Sequence, residues 1–250
     1  MAVIAIYSPK GGVGKTTMAV DLAWRAAVKG GLRTLLWDLD LQGGAGFLLG
    51  ADPVPYERAA SLFQREGNPR RLITRTSYRG LDLLQADPSL RQLPLQLARL
   101  AQRRRLAGLA RNLSHDYDRI ILDCPPTMNE LTEQVLTAAN LMIMPLPPSP
   151  LGARAWDMMR NELANMEHRH PPVLPVVSMF DARRKAHHDS RASSLAGLPL
   201  IPAASPIEQM AFRRMPVGAF APGSDASRAL DRVWREIELK LSELTPQPAI

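Results

Sequence analysis

The sequence predicts an α/β fold: a doubly wound, mostly parallel β-sheet flanked by helices. Short apolar runs rich in Val, Ile and Leu recur along the chain, as buried parallel strands do. Segments with helical spacing alternate with them. No repeat and no interdomain linker breaks the alternation, so the 250 residues are expected to form a single domain over 1–250, with a frayed tail at 245–250.

Ala2–Tyr7 (AVIAIY) reads as a buried strand running into a glycine-rich turn. Thr16–Lys29 has helical spacing, with Met18, Leu22 and Ala26 on one side and Val20, Ala23 and Ala27 close by, and Gly30-Gly31 stops it. Arg33–Trp37 is a second strand, followed by Asp38-Leu39-Asp40, and Gln42–Gly50 is glycine-rich, hence a loop or irregular turn. Tyr56–Arg65 is assigned a helix, Leu81–Gln85 a short strand, and Leu90–Leu113 one long helix carrying Arg103-Arg104-Arg105 on an exposed face. Further on, Arg119–Leu122, Leu141–Leu146, Val173–Met179 and Leu198–Ile201 are strands, with helices over Glu130–Ala139 and Leu151–Glu167. Ser224–Leu244 is a final amphipathic helix whose apolar residues follow i, i+3, i+4, i+7 spacing.

Composition narrows the function. With 46% hydrophobic residues the chain can bury a large core, and its single cysteine, Cys124, excludes an internal disulfide and a Cys-rich metal site. No apolar run approaches the ~18 residues of a membrane span, and no signal-peptide pattern opens the chain, so a cytoplasmic protein is expected. A formal charge of +7 favours an anionic partner.

Ser8–Thr17 (SPKGGVGKTT) is close to the phosphate-binding pattern G-x-x-x-x-G-K-[ST], with a difference. Counting back from Gly14-Lys15-Thr16 places Pro9 where the first glycine belongs, and a second lysine, Lys10, follows it. Strand before, glycines within and helix after are the context such a loop requires. The glycines let backbone N–H groups turn towards a phosphate, and the helix N-terminus adds its dipole. Lys15 then neutralises β and γ oxygens, and the Thr16 hydroxyl is a Mg2+ ligand. Asp123 ends the strand RIILD, where a metal-holding aspartate stands, and Asp38 and Asp40 end the neighbouring strand. The fold is thus expected to be that of a P-loop NTPase.

KGGVGKTT, then LLWDLDLQGG, IILDCPPT, VVSMFDARRK and LIPAASPIEQMAFRRMPV, resembles in order the ParA/MinD family of deviant-Walker ATPases over almost the entire chain. The resemblance implies ATP and Mg2+ as cofactors. It implies that Gly11, Gly12, Val13, Gly14, Lys15, Thr16 and Thr17 bind the nucleotide, and that Thr16, Asp38 and Asp123 form the metal site. Lys10 would reach across a nucleotide-sandwich homodimer to the partner's phosphates, so that ATP controls dimerisation. Asp40 would orient or deprotonate the attacking water, making Lys10, Lys15 and Asp40 the catalytic set. Pro202, with Met179 or Phe180, would flank the adenine. Hydrolysis would be slow and accelerated by a partner protein. Three departures from the family pattern leave its charges intact: Leu41 replaces a proline after the second aspartate, QGGAGF replaces QGN/S-A-T, and Pro9 replaces the commoner glutamine.

Members of this family differ in what the ATP-bound dimer holds. A redox branch needs paired cluster cysteines, which lone Cys124 does not provide; it reads as a packing residue. A membrane branch needs a basic, apolar end helix, whereas VWREIELKLSELTPQPAI mixes charges and ends in prolines, so no membrane partner is expected. A nucleoid-binding branch fits the charge: Arg183, Arg184 and Lys185, beside His187 and His188, and Arg213 and Arg214 are the expected contacts to non-specific DNA. The sequence therefore predicts a nucleoid-associated ATPase that segregates or positions a plasmid, chromosome or protein cargo. The alternative is a regulatory ATPase of the same family acting on a protein partner without DNA. No helix-turn-helix segment precedes the phosphate loop, so sequence-specific DNA reading is not expected.

Overall fold

The computed structural model describes residues 1–52, 58–64, 67–100, 104–166 and 170–244, with Leu100 as backbone. One eight-stranded sheet runs through them in the order β3-β4-β2-β5-β1-β6-β7-β8. The strands are β1 Ala2–Ile6, β2 Thr34–Asp38, β3 Ile73–Arg75, β4 Leu81–Leu84, β5 Arg119–Asp123, β6 Leu141–Leu146, β7 Val173–Phe180 and β8 Leu200–Pro202. Every pairing is parallel except β3 with β4.

Alternation along the strands builds two cores. From β1, Val3, Ala5 and Tyr7 enter one and Ile4 and Ile6 the other. The first core is covered by α3 Leu93–Leu100, α4 Arg105–Asn112, α5 Glu130–Ala138 and α6 Pro150–Ala164. The second is covered by α1 Lys15–Trp24, α2 Gly44–Leu48, α8 Ser205–Arg213, α9 Val217–Phe220 and α10 Asp225–Leu244. α7, Lys185–Ala192, buries none of its residues. α10 lays Ala229, Leu230, Val233, Trp234 and Ile237 against the sheet, so its apolar stripe is used internally. Among the described residues no helix is long and apolar enough to cross a membrane.

Several elements differ from the sequence reading. The expected helix 90–113 is two helices, because Arg104 takes φ −129°, ψ 23° and breaks the continuity before α4. The glycine-rich stretch 42–50 contains α2, which starts behind Gly43 at φ 64°. β3 was not anticipated; three residues with two of them exposed leave no apolar pattern to read. The helix expected at 56–65 is a 3-10 turn over Ala59–Phe63 in its described part, while Tyr56, Glu57 and Arg65 lie outside the described residues, as do Glu167, Arg103 and the tail 245–250.

After Trp24, α1 widens into a π-turn through Lys29, closed by Gly30 N–H donating to the Arg25 carbonyl at 2.8 Å. Arg25 is fully buried there and donates to Asp21, Asp231 and Ser227, tying α1 to α10. Asp21 also accepts from the Gly218 N–H at 3.0 Å, which brings α9 into the same joint.

Candidate active site

β1, β2 and β5 lie side by side and end together, with Ile6 paired to Asp123 and Asp38 paired to Asp123. The loops leaving these ends enclose a cavity of about 760 Å³. It is lined by Gly11, Gly12, Gly14, Lys15, Thr16 and Thr17 of the loop into α1, by Asp40, Leu41 and Gln42, and by Pro125–Thr127 after β5. Gly12 at φ 71° and Gly14 at φ 84° adopt the left-handed backbone that a Cβ disfavours. Their conformation brings the start of α1 directly beneath the cavity, so its unpaired N–H groups and dipole end face the space. Val13 is buried and anchors the loop in place of contacting the cavity.

Three carboxylates meet at this edge, each in a different setting. Asp38 is fully buried; its Oδ1 accepts from the Asp40 N–H at 3.0 Å and its Oδ2 from the Ala45 N–H at 3.1 Å. It therefore shapes the loop that carries Asp40 and starts α2. Asp40 is half-buried, lines the cavity and accepts from the Gln42 N–H at 3.1 Å. Asp123 is fully buried, and apart from the neighbouring Thr16 hydroxyl its carboxylate oxygens have no hydrogen-bond partner. Burial pushes Asp123 up to about 7, with the charge of Asp40 adding to it and the Thr16 hydroxyl and Lys15 ammonium opposing it. Asp38 is raised as well, by burial first and then by the charge of Asp123.

A buried carboxylate without a donor is costly unless something positive fills its vicinity. Lys15, only 6% exposed, supplies part of that charge. The oxygens of Asp123 with the Thr16 hydroxyl make a hard, all-oxygen donor set of the kind Mg2+ takes alongside phosphate oxygens. The residues present thus fit Mg2+. Gly44 stands against Thr16, where a Cβ would lie 3.1 Å from its Cγ2, so α2 packs directly on the first turn of α1.

Other expected residues are distributed unevenly. Met179 lines the cavity, held half-exposed at φ 58°, whereas Phe180 is buried with its ring against His187 and His188. Pro202 is paired to Phe180 at the end of β8 and does not line the cavity. Lys10 also stands outside it. It borders a second cavity of about 360 Å³ formed with Met128, Leu151, Met158 and the α6 surface. Ile207, Glu208, Met210 and Ala211 of α8 line the nucleotide-sized cavity and were not anticipated. Their only signal in the sequence is the segment PIEQMA directly after the short strand, which carries no motif chemistry. Cys124 is buried with its thiol pushed up by burial, as a packing residue is.

The residues expected at DNA differ in how free they are. Arg183 is 90% exposed but forms a two-pronged pair with Asp181, at 2.9 and 3.0 Å, and Arg184 reaches the same carboxylate at 3.5 Å. Those contacts hold Asp181 well below the usual carboxylate range. Lys185 is exposed, and Arg213 bonds Gln209 at 3.0 Å while lying over Phe220. Arg214 turns inward: it donates to the carbonyls of Phe47 at 3.1 Å and Ala51 at 2.6 Å, capping the end of α2. Its backbone, at φ 52°, is left-handed.

A family model described as "AAA domain" matches residues 1–174. The chain is 32% identical over 184 residues to a "ParA family protein" of Chlamydia trachomatis, covering 72% of each. It is 36% identical over 193 residues to the chromosome partitioning protein ParA of Caulobacter vibrioides, covering 73% of this chain and 71% of that one. The septum site-determining protein MinD of Pyrococcus horikoshii, solved with Mg-ADP, superposes with a TM-score of 0.75 at 19% identity over 98% of this chain and 99% of that one. With a deviant phosphate loop at the head of the shared region and relatives above 30% identity along most of the chain, this protein belongs to the ParA family.

Proposed function

We propose that the chain binds ATP with Mg2+ in the 760 Å³ cavity, hydrolyses it slowly, and uses the ATP-bound state to dimerise, to hold DNA without sequence preference and so to position a cargo. The observation that carries this reading is the buried Asp123, its oxygens under-satisfied, beside Lys15 and Thr16 under a glycine loop at a helix N-terminus. In this reading the N–H groups of Gly11–Thr17 bind the triphosphate, and Lys15 holds the β and γ oxygens. Thr16 and Asp123 hold Mg2+, which when bound neutralises the charge developing on the phosphates. Asp38 keeps the Asp40 loop in place through its two backbone bonds. Asp40 orients the attacking water and receives its proton. Met179 and α8 supply other walls of the same cavity and are the candidate surroundings of the base.

Lys10 lines the neighbouring cavity and not the nucleotide-sized one, in keeping with a role towards a second copy of the chain. Two triphosphates brought face to face need added positive charge, and a lysine from each subunit supplies it only while ATP is present. A partner protein on the cargo completes water positioning and triggers release. Non-specific DNA binding, and with it nucleoid association, follows from the net charge of +7. Arg183, Arg184, Lys185 and Arg213 are one candidate surface for it. The experiment is ATP turnover by the purified chain with and without Mg2+, beside Lys15→Ala. Mg2+-dependent turnover absent from the variant is expected; turnover equal in both proteins contradicts the assignment.

A further inference from the structure

The charge of this chain is unevenly placed. Residues 58–111 contain twelve arginines and no lysine, against Glu66, Asp82 and Asp87 as their only acids, a formal +9. The remainder of the chain nets −2. All of the excess positive charge therefore lies in one segment, which forms the β3–β4 edge of the sheet and the helices beside it. Two of the twelve, at 65 and 103, lie outside the described residues.

The fold brings Arg58, Arg71, Arg91 and Arg105 around the 3-10 turn Ala59–Phe63. Arg58 and Arg71 line one side of it, in a cavity of about 260 Å³ shared with Ser61, Gln64 and Asn68. Arg91 lines an adjoining cavity of about 420 Å³, shared with the same Ser61 and Gln64 and with Gln92 and Gln96. Arg105 donates to the carbonyls of Leu62 and Gln64 and fixes the floor between them. Arg70 reaches the Asn112 carbonyl at 2.6 Å, which brings the start of β3 to the end of α4 beside Arg111. Arg71, Arg75, Arg79, Arg91, Arg104 and Arg111 are exposed and make no ion pair with any described residue.

Arginines on an edge strand also serve to block edge-to-edge pairing, but a strand of three residues does not require twelve. The guanidinium fork suits phosphate oxygens, and the grooves between the arginines are walled by amides and hydroxyls. Among the described residues of 58–111 the one exposed large apolar side chain is Leu95, which leaves nothing to insert into a bilayer. We infer that this arginine face binds the phosphate backbone of duplex DNA, without reading its sequence, and that it is the principal DNA surface of the chain. It rests on the reading that the protein binds DNA. β3 and β7 are six strands apart in the sheet, about 30 Å, so this face and the Arg183 region are separate surfaces.

The test is binding of a random-sequence duplex to the full chain with ATP, across a salt series, for two triple variants. One is Arg71→Glu/Arg75→Glu/Arg79→Glu; the other is Arg183→Glu/Arg184→Glu/Arg213→Glu. The first is expected to weaken binding by about tenfold or more and to lower the salt slope by roughly 2 to 3, with ATP turnover and far-ultraviolet dichroism unchanged. The milder Arg→Gln set at 71, 75 and 79, which adds no negative charge, is expected to move affinity in the same direction. Binding kept by both sets at 71, 75 and 79 but lost by the second triple overturns the inference and leaves the DNA reading standing. Wild-type protein that binds no duplex at any salt overturns both. Wild-type protein that prefers vesicles of phosphatidylserine over duplex, through the same arginines, overturns the choice of DNA.

Discussion

Asp40 and Lys15 differ in burial, and that difference separates their expected phenotypes. Lys15 is buried at the head of α1 beside Asp123, so Lys15→Ala removes both a phosphate partner and the charge that offsets a buried carboxylate. Its ATP affinity is expected to fall at least 100-fold, measured by fluorescent-nucleotide titration. Asp40 has no such structural duty beyond its own loop, so Asp40→Ala is expected to keep ATP affinity within about threefold while turnover falls about 100-fold. At the opposite edge, Arg33 bonds Asp118 through its backbone and its side chain and lowers that carboxyl to about 2. Because the folded value lies below the unfolded one, the pair stabilises the protein above about pH 4, and that contribution is lost as pH falls from about 4 towards 2. The pair is exposed, so solvent screens it and the effect is small, and Arg33→Ala is expected to flatten the urea midpoint across that window. That the phosphate loop, Asp38, Asp40 and Asp123 meet at one sheet edge was legible in the sequence, because each follows a strand in a short motif. Arg214 was not: its exposure to DNA depended on a left-handed backbone that folds its side chain onto α2, and nothing local in FRRM specifies that.

At the scale of elements, packing decided what spacing left open. α1 and α10 were legible as helices from their periodic apolar residues. The joint between them was not, because Asp21, Arg25 and Asp231 are charged residues that read as solvent-facing until tertiary contact pairs them. Arg25→Ala leaves Asp21 buried without its partner and is expected to cost about 3–5 kcal/mol in urea unfolding, with α1 and α10 loosening together in hydrogen exchange. Gly218 in α9 is a second check on the same joint. A Cβ there would stand 2.2 Å from the Trp24 ring, so Gly218→Ala is expected to destabilise by about 1–3 kcal/mol through overpacking. The break at Arg104 escaped the sequence reading because apolar spacing persists from Leu90 to Leu113 on both sides of it.

Over the whole molecule, strand order explains why one edge does the chemistry. Placing β1 between β5 and β6, with β2 beyond β5, brings the glycine loop, Asp123 and the Asp38–Asp40 loop to neighbouring strand ends although Gly11 and Asp123 are 112 residues apart in sequence. The parallel sheet was legible from the alternation of elements; its order and the antiparallel β3 were not, since the sequence does not encode which strands neighbour one another. The surfaces divide accordingly: nucleotide at the strand ends, Lys10 with the α6 face beside it, and the arginine-rich edge at β3. The central claim is that ATP held at the first surface joins two chains through Lys10. Light-scattering mass of Asp40→Ala, with ATP and with ADP, tests it most directly. A chain of 27.6 kDa is expected to double in mass with ATP alone, and to remain single in both nucleotides once Lys10→Ala is added. A single-chain mass for Asp40→Ala with bound ATP would contradict the account.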